Sequence, residues 1–425
     1  MRAEVAKRRA GHGSPLSFLF VAVFVDMIGY GIVVPLLPLF AREHASGAVL
    51  VGLLGSLYAA AQFVGGPFLG GLSDRAGRRP VLLLCLLGAS LAYLLLGLAD
   101  SFLLLVAAVT LAGLASATLA TAQAYIADVT PPEDRARGLG LVGAAFGLGL
   151  VTGPALGGLL SLYSLEAPAF AAAALALSNA VFGFFVLPES LLAGRRTRTP
   201  LHLLNPVSQL SRVLRIGSIR GLLLVVFLLN LSFAGLLVNF PLFSGARFGW
   251  GAAANAFFFA FVGLCAVLTQ GVLVGRLHPR LGERRLLLGG LAAMALCLGP
   301  MSLVPFGALL YPVVGVLAVG TGLAIPAAAA GISRRVSGRE QGRVMGGQQA
   351  ILSLTLILGP VVSGAAFDGL GVSAPYWIGS LLATLALLVA AQTSRPTISG
   401  QGSGARPAFS TPRIPASHEN KEREP

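Results

Sequence analysis

The stretch GGLSDRAGRR, Gly70 to Arg79, lies between two long apolar runs, and a weaker copy, GRLHPRLGERR from Gly275 to Arg285, follows 205 residues later. At this offset Gly275, Leu277, Arg280 and Gly282 match Gly70, Leu72, Arg75 and Gly77. A second pair of segments, GPALGG at 153–158 and GPVVSG at 359–364, is 206 residues apart. Two matches in the same order indicate a chain built from two copies of one unit.

The composition indicates a membrane protein. Apolar residues make up 56% of the chain and charged residues only 11%, against roughly 25% charged in a soluble domain. A bilayer-spanning helix needs about 20 apolar residues. Twelve stretches satisfy this: 16–41, 48–72, 80–99, 101–126, 137–163, 166–188, 219–244, 251–276, 285–304, 307–331, 343–367 and 373–394. Strands of a membrane barrel are shorter and alternate polar with apolar residues. We therefore expect an all-α membrane protein with twelve transmembrane helices in two pseudo-symmetric six-helix halves.

The positive charge is confined to one side of this arrangement. The net charge is +14, but 28 of the 30 Lys and Arg residues fall in the N-terminus, the even-numbered loops and the tail. Only Arg42 and Arg247 lie on the other side. This positive-inside distribution predicts that both termini are cytoplasmic, and it explains the charge without a nucleic-acid partner.

The same pattern predicts five segments. These are a cytoplasmic N-terminus (1–15), an N-terminal six-helix bundle (16–188), a cytoplasmic linker loop (189–218), a C-terminal six-helix bundle (219–395) and a disordered cytoplasmic tail (396–425).

Neither enzymatic chemistry nor a metal site is indicated. The three cysteines lie in separate apolar stretches, and the five histidines lie in tails or loops. No nucleophile–base set appears within the apolar spans, so we expect no catalytic residues, no metal and no cofactor. The first apolar run contains Asp26, Pro35 and Pro38 and is too long for a cleaved signal peptide.

Several segments resemble the major facilitator superfamily. GGLSDRAGRRPVLLL, from Gly70, is similar to the signature loop between that family's second and third helices, and VLPES at 186–190 resembles the end of its sixth helix. Three further segments are similar to its drug:proton antiporter branch, and to tetracycline efflux proteins within it: FVDMIGYGIVVPLLPLF at 24–40, AYIADVTPPEDRARGLG at 124–140 and FGLGLVTGPALGG at 146–158. The resemblance implies the major facilitator fold and transport by alternating access.

The signature loop is the first candidate site. Glycines permit its tight turn, and Asp74 is placed to face the positive N-terminal end of a helix. The resemblance implies that this helix is the eleventh, beginning near Gly342. The charged residues of this loop can hold the cytoplasmic gate closed. The alternative is that the arginines only set the orientation of the protein in the membrane. The expected latch residues are Asp74, Arg75, Gly77, Arg78 and Asp128.

The fifth span carries a second candidate motif. Its small residues recur on one helix face and allow a neighbouring backbone to come close, and its proline favours a bend. The resemblance assigns to this motif the sealing of the central path in antiporters; plain helix packing is the alternative. The residues are Gly149, Gly153, Pro154, Gly157 and Gly158.

Asp26 is the one acidic residue well inside an apolar span. It lies roughly ten residues into its helix, near half depth at about 1.5 Å per residue. A buried carboxylate is costly when charged, which makes it a candidate for exchanging protons. The alternative is a structural Asp satisfied by hydroxyls or by the Gly29/Gly31 segment. Polar helix residues that could line a substrate cavity are Tyr30, Tyr58, Gln62, Gln123, Asn230 and Asn239.

The chain departs from the tetracycline exporters that it resembles. They carry an Asp where Ala92 aligns, an Arg where Val109 aligns, and an Asp in the ninth span, which here has no acidic residue. Metal–tetracycline chelates need such charges, so a lipophilic, neutral or cationic substrate fits better. The expected function is proton-coupled efflux of a lipophilic drug-like compound by a monomer in the lipid bilayer of the inner membrane. Uptake or efflux of a sugar or other metabolite, and a lipid-moving or non-transporting scaffold, remain alternatives.

Overall fold

A computed structural model of the chain describes residues 15–44, 47–131, 135–191, 194, 196, 211, 213–336 and 338–393. The predicted tail 396–425, nearly all of segment 1–15 and most of the linker 189–218 lie outside these residues. The described helices are α1 Pro15–Val33, α2 Leu37–His44, α3 Ala48–Ala76, α4 Arg78–Gly97, α5 Phe102–Leu114, α6 Thr118–Val129, α7 Arg135–Leu160, α8 Ala167–Val186, α9 Arg220–Phe248, α10 Ala252–Leu268, α11 Val274–Leu298, α12 Leu310–Ser333, α13 Gly338–Leu370 and α14 Ala374–Thr393. The described residues contain no strand.

These helices fit a twelve-span chain. Ten described helical stretches are long and apolar enough to cross a membrane, and Leu19–Val33 is a shorter apolar helix. One of the ten, Ala252–Leu303, is 52 residues long. It is interrupted at Gly282, whose φ of 71° is not helical, and it therefore supplies the eighth and ninth spans.

Two predicted spans are broken helices rather than continuous ones. The first span divides into α1 and α2 at a turn over residues 34–36, where Pro35 disfavours the helical conformation of the residue before it. The fourth divides into α5 and α6 at a turn over residues 115–117. There the Ser116 hydroxyl donates to the Gly113 carbonyl at 2.7 Å, a local bond that competes with the helix ladder.

The two copies of the signature loop share a backbone feature, a glycine with a positive φ. Gly77, with φ 114°, separates α3 from α4, and Gly282 occupies the same place in the second copy. A positive φ strains any residue that carries a Cβ. The repeat found in the sequence is therefore also a repeat of backbone geometry.

The buried side chains form separate cores. One cluster is drawn from residues 213–390, and the other three come mainly from residues 19–187. Large apolar side chains such as Leu103, Phe185 and Leu370 are exposed on the outside, as expected for surfaces that face lipid.

The two halves come close together where helix α3 packs against helix α13. We call the end that carries Arg75, Arg78 and Arg79 the arginine end, and the opposite end the distal end. Helix α3 runs from the distal end to the arginine end, and α13 packs along it in the opposite direction. At Gly52 a Cβ atom would collide with the Pro360 carbonyl, which shows how near the two backbones come.

Candidate functional site

A cavity lies between the helices of the N-terminal half, α9 and α13; its space, counted together with the adjoining open solvent, is about 950 Å³. Its polar lining consists of three tyrosines, Tyr30, Tyr58 and Tyr93, and the amide of Gln62. The rings of Tyr30 and Tyr58 are 6.1 Å apart. The remaining lining residues are apolar: Val33, Val34, Leu37, Pro38, Val51, Gly55, Ala59, Ala92, Leu96, Ala108, Val109, Ala112, Ala234, Leu356 and Pro360. Such a surface suits an aromatic or aliphatic molecule.

Asp26 lies beside this cavity rather than on its wall. It is 8% exposed and sits four residues, about one helical turn, before the cavity residue Tyr30. The Thr118 hydroxyl hydrogen-bonds to its carboxylate, and the carboxylate interacts electrostatically with Tyr58 and Tyr93. Two of the tyrosines that line the cavity therefore interact with Asp26.

The other predicted cavity residues lie elsewhere. Gln123 is exposed. Asn230 donates to the Val226 carbonyl of its own helix at 2.8 Å, and buried Asn239 donates to the Ser363 hydroxyl at 2.7 Å. None of the three lines this cavity, and Asn239 Oδ1 is buried without a hydrogen-bond partner among the described residues. A role for them in substrate binding stays a prediction. Tyr93, which the sequence did not single out, belongs with Tyr30, Tyr58 and Gln62.

Arg78 is the centre of the arginine end. Its Nη1 lies 2.6 Å from Asp74 Oδ1 and its Nε lies 3.0 Å from Asp128 Oδ2. Nη1 also donates to the Ser73 hydroxyl at 2.7 Å. The side chain therefore ties α3 and α4 to the end of α6. The expected approach of Asp74 to the eleventh span stays a prediction; that span begins at Gly338, earlier than expected.

Glu189 completes this end and was not identified from the sequence. Its carboxylate accepts from the backbone N–H groups of Arg78 at 2.8 Å and Arg79 at 3.2 Å. These are the first N–H groups of α4, which lack partners within the helix. The guanidinium of Arg79 lies 5.5 Å from the Phe184 ring centroid. The VLPES segment therefore contributes a helix cap that its position in a long loop did not reveal.

The second half repeats the central ion pair with its charges reversed. Glu283 stands 205 residues after Arg78, and Arg334 stands 206 residues after Asp128. Glu283 forms an ion pair with Arg334, as Arg78 does with Asp128. Sequence matching missed this pair because it looked for identical residues, whereas the repeated feature is the attraction between opposite charges.

The small residues of α7 pack against α1. A Cβ at Gly153 would lie 2.7 Å from both the Gly31 Cα and the Ile28 carbonyl oxygen. Gly149 and Gly157 make similar approaches to the same helix. The motif thus fixes α7 against the helix that carries Asp26. Gly158, on another face of α7, instead approaches α10.

Comparison with known proteins identifies the family. The sequence profile of the Major Facilitator Superfamily matches residues 19–320 and 272–418. The chain belongs to the Major Facilitator Superfamily. As a member of this superfamily it is a multi-pass membrane transporter of small molecules and not an enzyme, as the sequence predicted.

Relatives within the superfamily include drug-resistance proteins. The chain is 39% identical to the class C tetracycline resistance protein of Escherichia coli over 360 residues, covering 84% of this chain and 90% of the relative. It is 32% identical to multidrug resistance protein 2 of Bacillus subtilis over 351 residues, covering 81% and 87%.

Solved structures of superfamily members share the fold. The human organic anion transporter MFSD10 (TETRAN) matches with a TM-score of 0.68 at 25% identity, covering 88% of this chain and 98% of that one. The nucleoside transporter NupG matches with a TM-score of 0.73 at 12% identity, covering 89% and 98%. At that identity the NupG match supports the fold alone.

Proposed function

We propose that this transporter exports a lipophilic, drug-like compound in exchange for protons, by alternating access. The observation that carries the proposal is the tyrosine-lined cavity, with buried Asp26 one helical turn from its residue Tyr30. It offers apolar surface for the compound and one carboxylate for the proton. The resistance proteins among the relatives agree with export as the direction.

The cavity lining favours a neutral or cationic substrate over an anionic chelate. Ala92 and Val109, which align with charged residues of the tetracycline exporters, both line the cavity. Neither can bind a metal or a charged group. The three tyrosine hydroxyls and Gln62 supply hydrogen bonds without charge. The substrate is therefore expected to be held by burial and ring contacts, with a few hydrogen bonds fixing its orientation.

Proton coupling is assigned to Asp26. A carboxylate within the apolar region strongly favours its neutral form unless a partner stabilises the charge. Occupation of the cavity would change the surroundings of Tyr58 and Tyr93, which interact with Asp26, and so change the proton affinity of Asp26. The Thr118 hydroxyl fits both this role and the structural alternative, since it can donate to either form of the acid. Transport measurements must separate the two.

The arginine end is assigned to the cytoplasm, on the basis of the charge distribution. A cytoplasmic-only reporter fused within segment 189–218 or at the C-terminus should be active. Activity of a periplasm-only reporter at either point would overturn the topology.

The proposed export is tested by flux in proteoliposomes. An imposed pH gradient should drive accumulation of a lipophilic probe, such as neutral Nile red or cationic tetraphenylphosphonium, against its gradient. Magnesium–tetracycline should be moved poorly. Accumulation of a sugar with no movement of either probe would favour the metabolite alternative, and no flux of any solute would favour a scaffold.

A further inference from the structure

A carboxylate of the C-terminal half bonds to the N-terminal half at the distal end. Asp368, on the last turn of α13, accepts from the backbone N–H of Ala48 at 2.9 Å and from that of Val49 at 2.9 Å. These two residues begin α3, 320 and 319 positions away in the chain. A side chain of the C-terminal half therefore caps a helix of the N-terminal half.

The surrounding backbone is shaped to bring these groups together. Gly47, which precedes the helix, has φ 100°, and a Cβ there would lie 3.1 Å from Asp368 Oδ2. Gly364, one turn before Asp368, faces the Ala48 carbonyl so closely that a Cβ would lie 2.5 Å from its oxygen. The second copy of the small-residue motif, GPVVSG, thus positions the carboxylate against α3.

The N-terminus of α3 has no side-chain cap from its own N-cap residue, Gly47. The first N–H groups of a helix have no intrahelical acceptor. A carboxylate at this position is favoured both as a hydrogen-bond acceptor and by the helix dipole. If the distal ends of α3 and α13 part, both the helix and the carboxylate lose this bond.

We propose that Asp368 is the latch of the distal gate: its cap on α3 stabilises the arrangement in which the cavity is closed at this end. The cavity lies directly beneath, since Val51 and Gly55 of α3 and Pro360 of α13 line it. Parting of the two helices opens the cavity on this side. Its role as the exit step for substrate rests on the proposed export; its role as a latch does not.

Labelling of a cysteine in the cavity tests the latch without a substrate. With the three native cysteines replaced, Val34→Cys places a reporter on the cavity wall. A membrane-impermeant maleimide is applied to right-side-out and inside-out vesicles, so that both faces are sampled. Asp368→Ala should speed labelling from the distal side about fivefold, the loss of one typical cap, and slow labelling from the other side.

Ser101→Ala is the matched control. Ser101 caps α5 at the same end, accepting from Leu104 N–H at 3.4 Å, but it joins residues of one half only. Its removal should leave both labelling rates unchanged. An equal rise in distal labelling for Ser101→Ala and Asp368→Ala would mean general loosening of this end and would overturn the latch.

A second variant separates loss of the cap from misfolding of the Asp368→Ala protein. Ala48→Pro removes one of the two N–H donors while retaining Asp368, at the first helical position, where proline is well tolerated. It should also raise distal labelling, by a smaller factor. Unchanged distal labelling in both variants, with normal insertion, refutes the proposal. Raised distal labelling without transport of either probe would support the latch and contradict the proposed export.

Discussion

Arg78 Nε lies 3.0 Å from Asp128 Oδ2, and this pair has a charge-reversed counterpart in the second half. The Arg78 side chain is 12% exposed, whereas that of Arg334, in the counterpart, is 65% exposed. A buried hydrogen-bonded charge contributes far more than an exposed one. The two halves therefore carry ion pairs at equivalent positions but of different strength.

This difference predicts unequal costs of neutralisation. Arg78→Gln should lower the free energy of unfolding by about 2 kcal/mol, because Asp74 and Asp128 then lose their shared partner. Arg334→Gln should cost less than about 1 kcal/mol, since solvent screens the exposed guanidinium. Thermal unfolding of the purified variants in detergent measures both. Equal losses would show that the pairs do not differ in this way.

The second prediction concerns Asp74. Asp74→Asn should leave the protein folded and inserted but weaken the closure of the arginine end. In the same cysteine assay, labelling from that side should accelerate. Arg75→Gln, a change in the same loop, is measured in the same labelling assay. Loss of expression with unchanged labelling would assign Asp74 a folding role instead.

The third prediction tests the packing of α7 against α1. Gly153→Leu places a side chain where the Gly31 Cα and the Ile28 carbonyl stand, so the helices must separate, at a cost of about 1–3 kcal/mol or more. Gly143→Leu is the control, because a Cβ there meets nothing within 4 Å. Dissipation of a pH gradient without substrate should rise only for Gly153→Leu if the motif also seals the path. A lower melting temperature without leak would indicate packing alone.

The sequence predicted the membrane class, the spans and the repeat because each depends on local composition or on short matches. It did not predict the break between α5 and α6, where the Ser116 hydroxyl donates to the Gly113 carbonyl, because such a local bond has no clear signature in the sequence. Nor did it predict the Asp368 cap, because the partners are more than 300 residues apart and Asp368 carries no local motif.

The residues that line the cavity could also be predicted only in part. Tyr30, Tyr58 and Gln62 were found because polar residues in apolar helices are conspicuous, but the same rule also selected Asn230 and Asn239, whose amides bond within the packed helices. Which helix face looks into the cavity depends on tertiary packing, and residue type alone does not report it.

The fourth prediction concerns the uncharged cavity. Ala92→Asp introduces a carboxylate at the cavity wall and should favour transport of tetraphenylphosphonium over Nile red. The carboxylate attracts the cation, whereas the neutral dye would displace the water that solvates the carboxylate. Ala92→Asn is the size-matched control without charge. Competition between the two probes in vesicles gives the ratio. An identical shift for Asp and Asn would indicate a steric effect only.

The coupling role of Asp26 is the central claim. Asp26→Asn removes the exchangeable proton and keeps the size and the hydrogen bond from Thr118, so downhill movement of the probe should remain measurable. Thr118→Val is the companion change, which removes the hydroxyl and keeps the carboxylate; it should retain proton-driven transport with altered pH dependence.

The most direct measurement is accumulation of tetraphenylphosphonium or Nile red in proteoliposomes under an imposed pH gradient, with wild type and Asp26→Asn compared at matched reconstitution. We expect the wild type to build a probe gradient and the variant only to equilibrate the probe. A variant that still accumulates probe when driven by the pH gradient would contradict the account, and Asp26 would then be a structural residue.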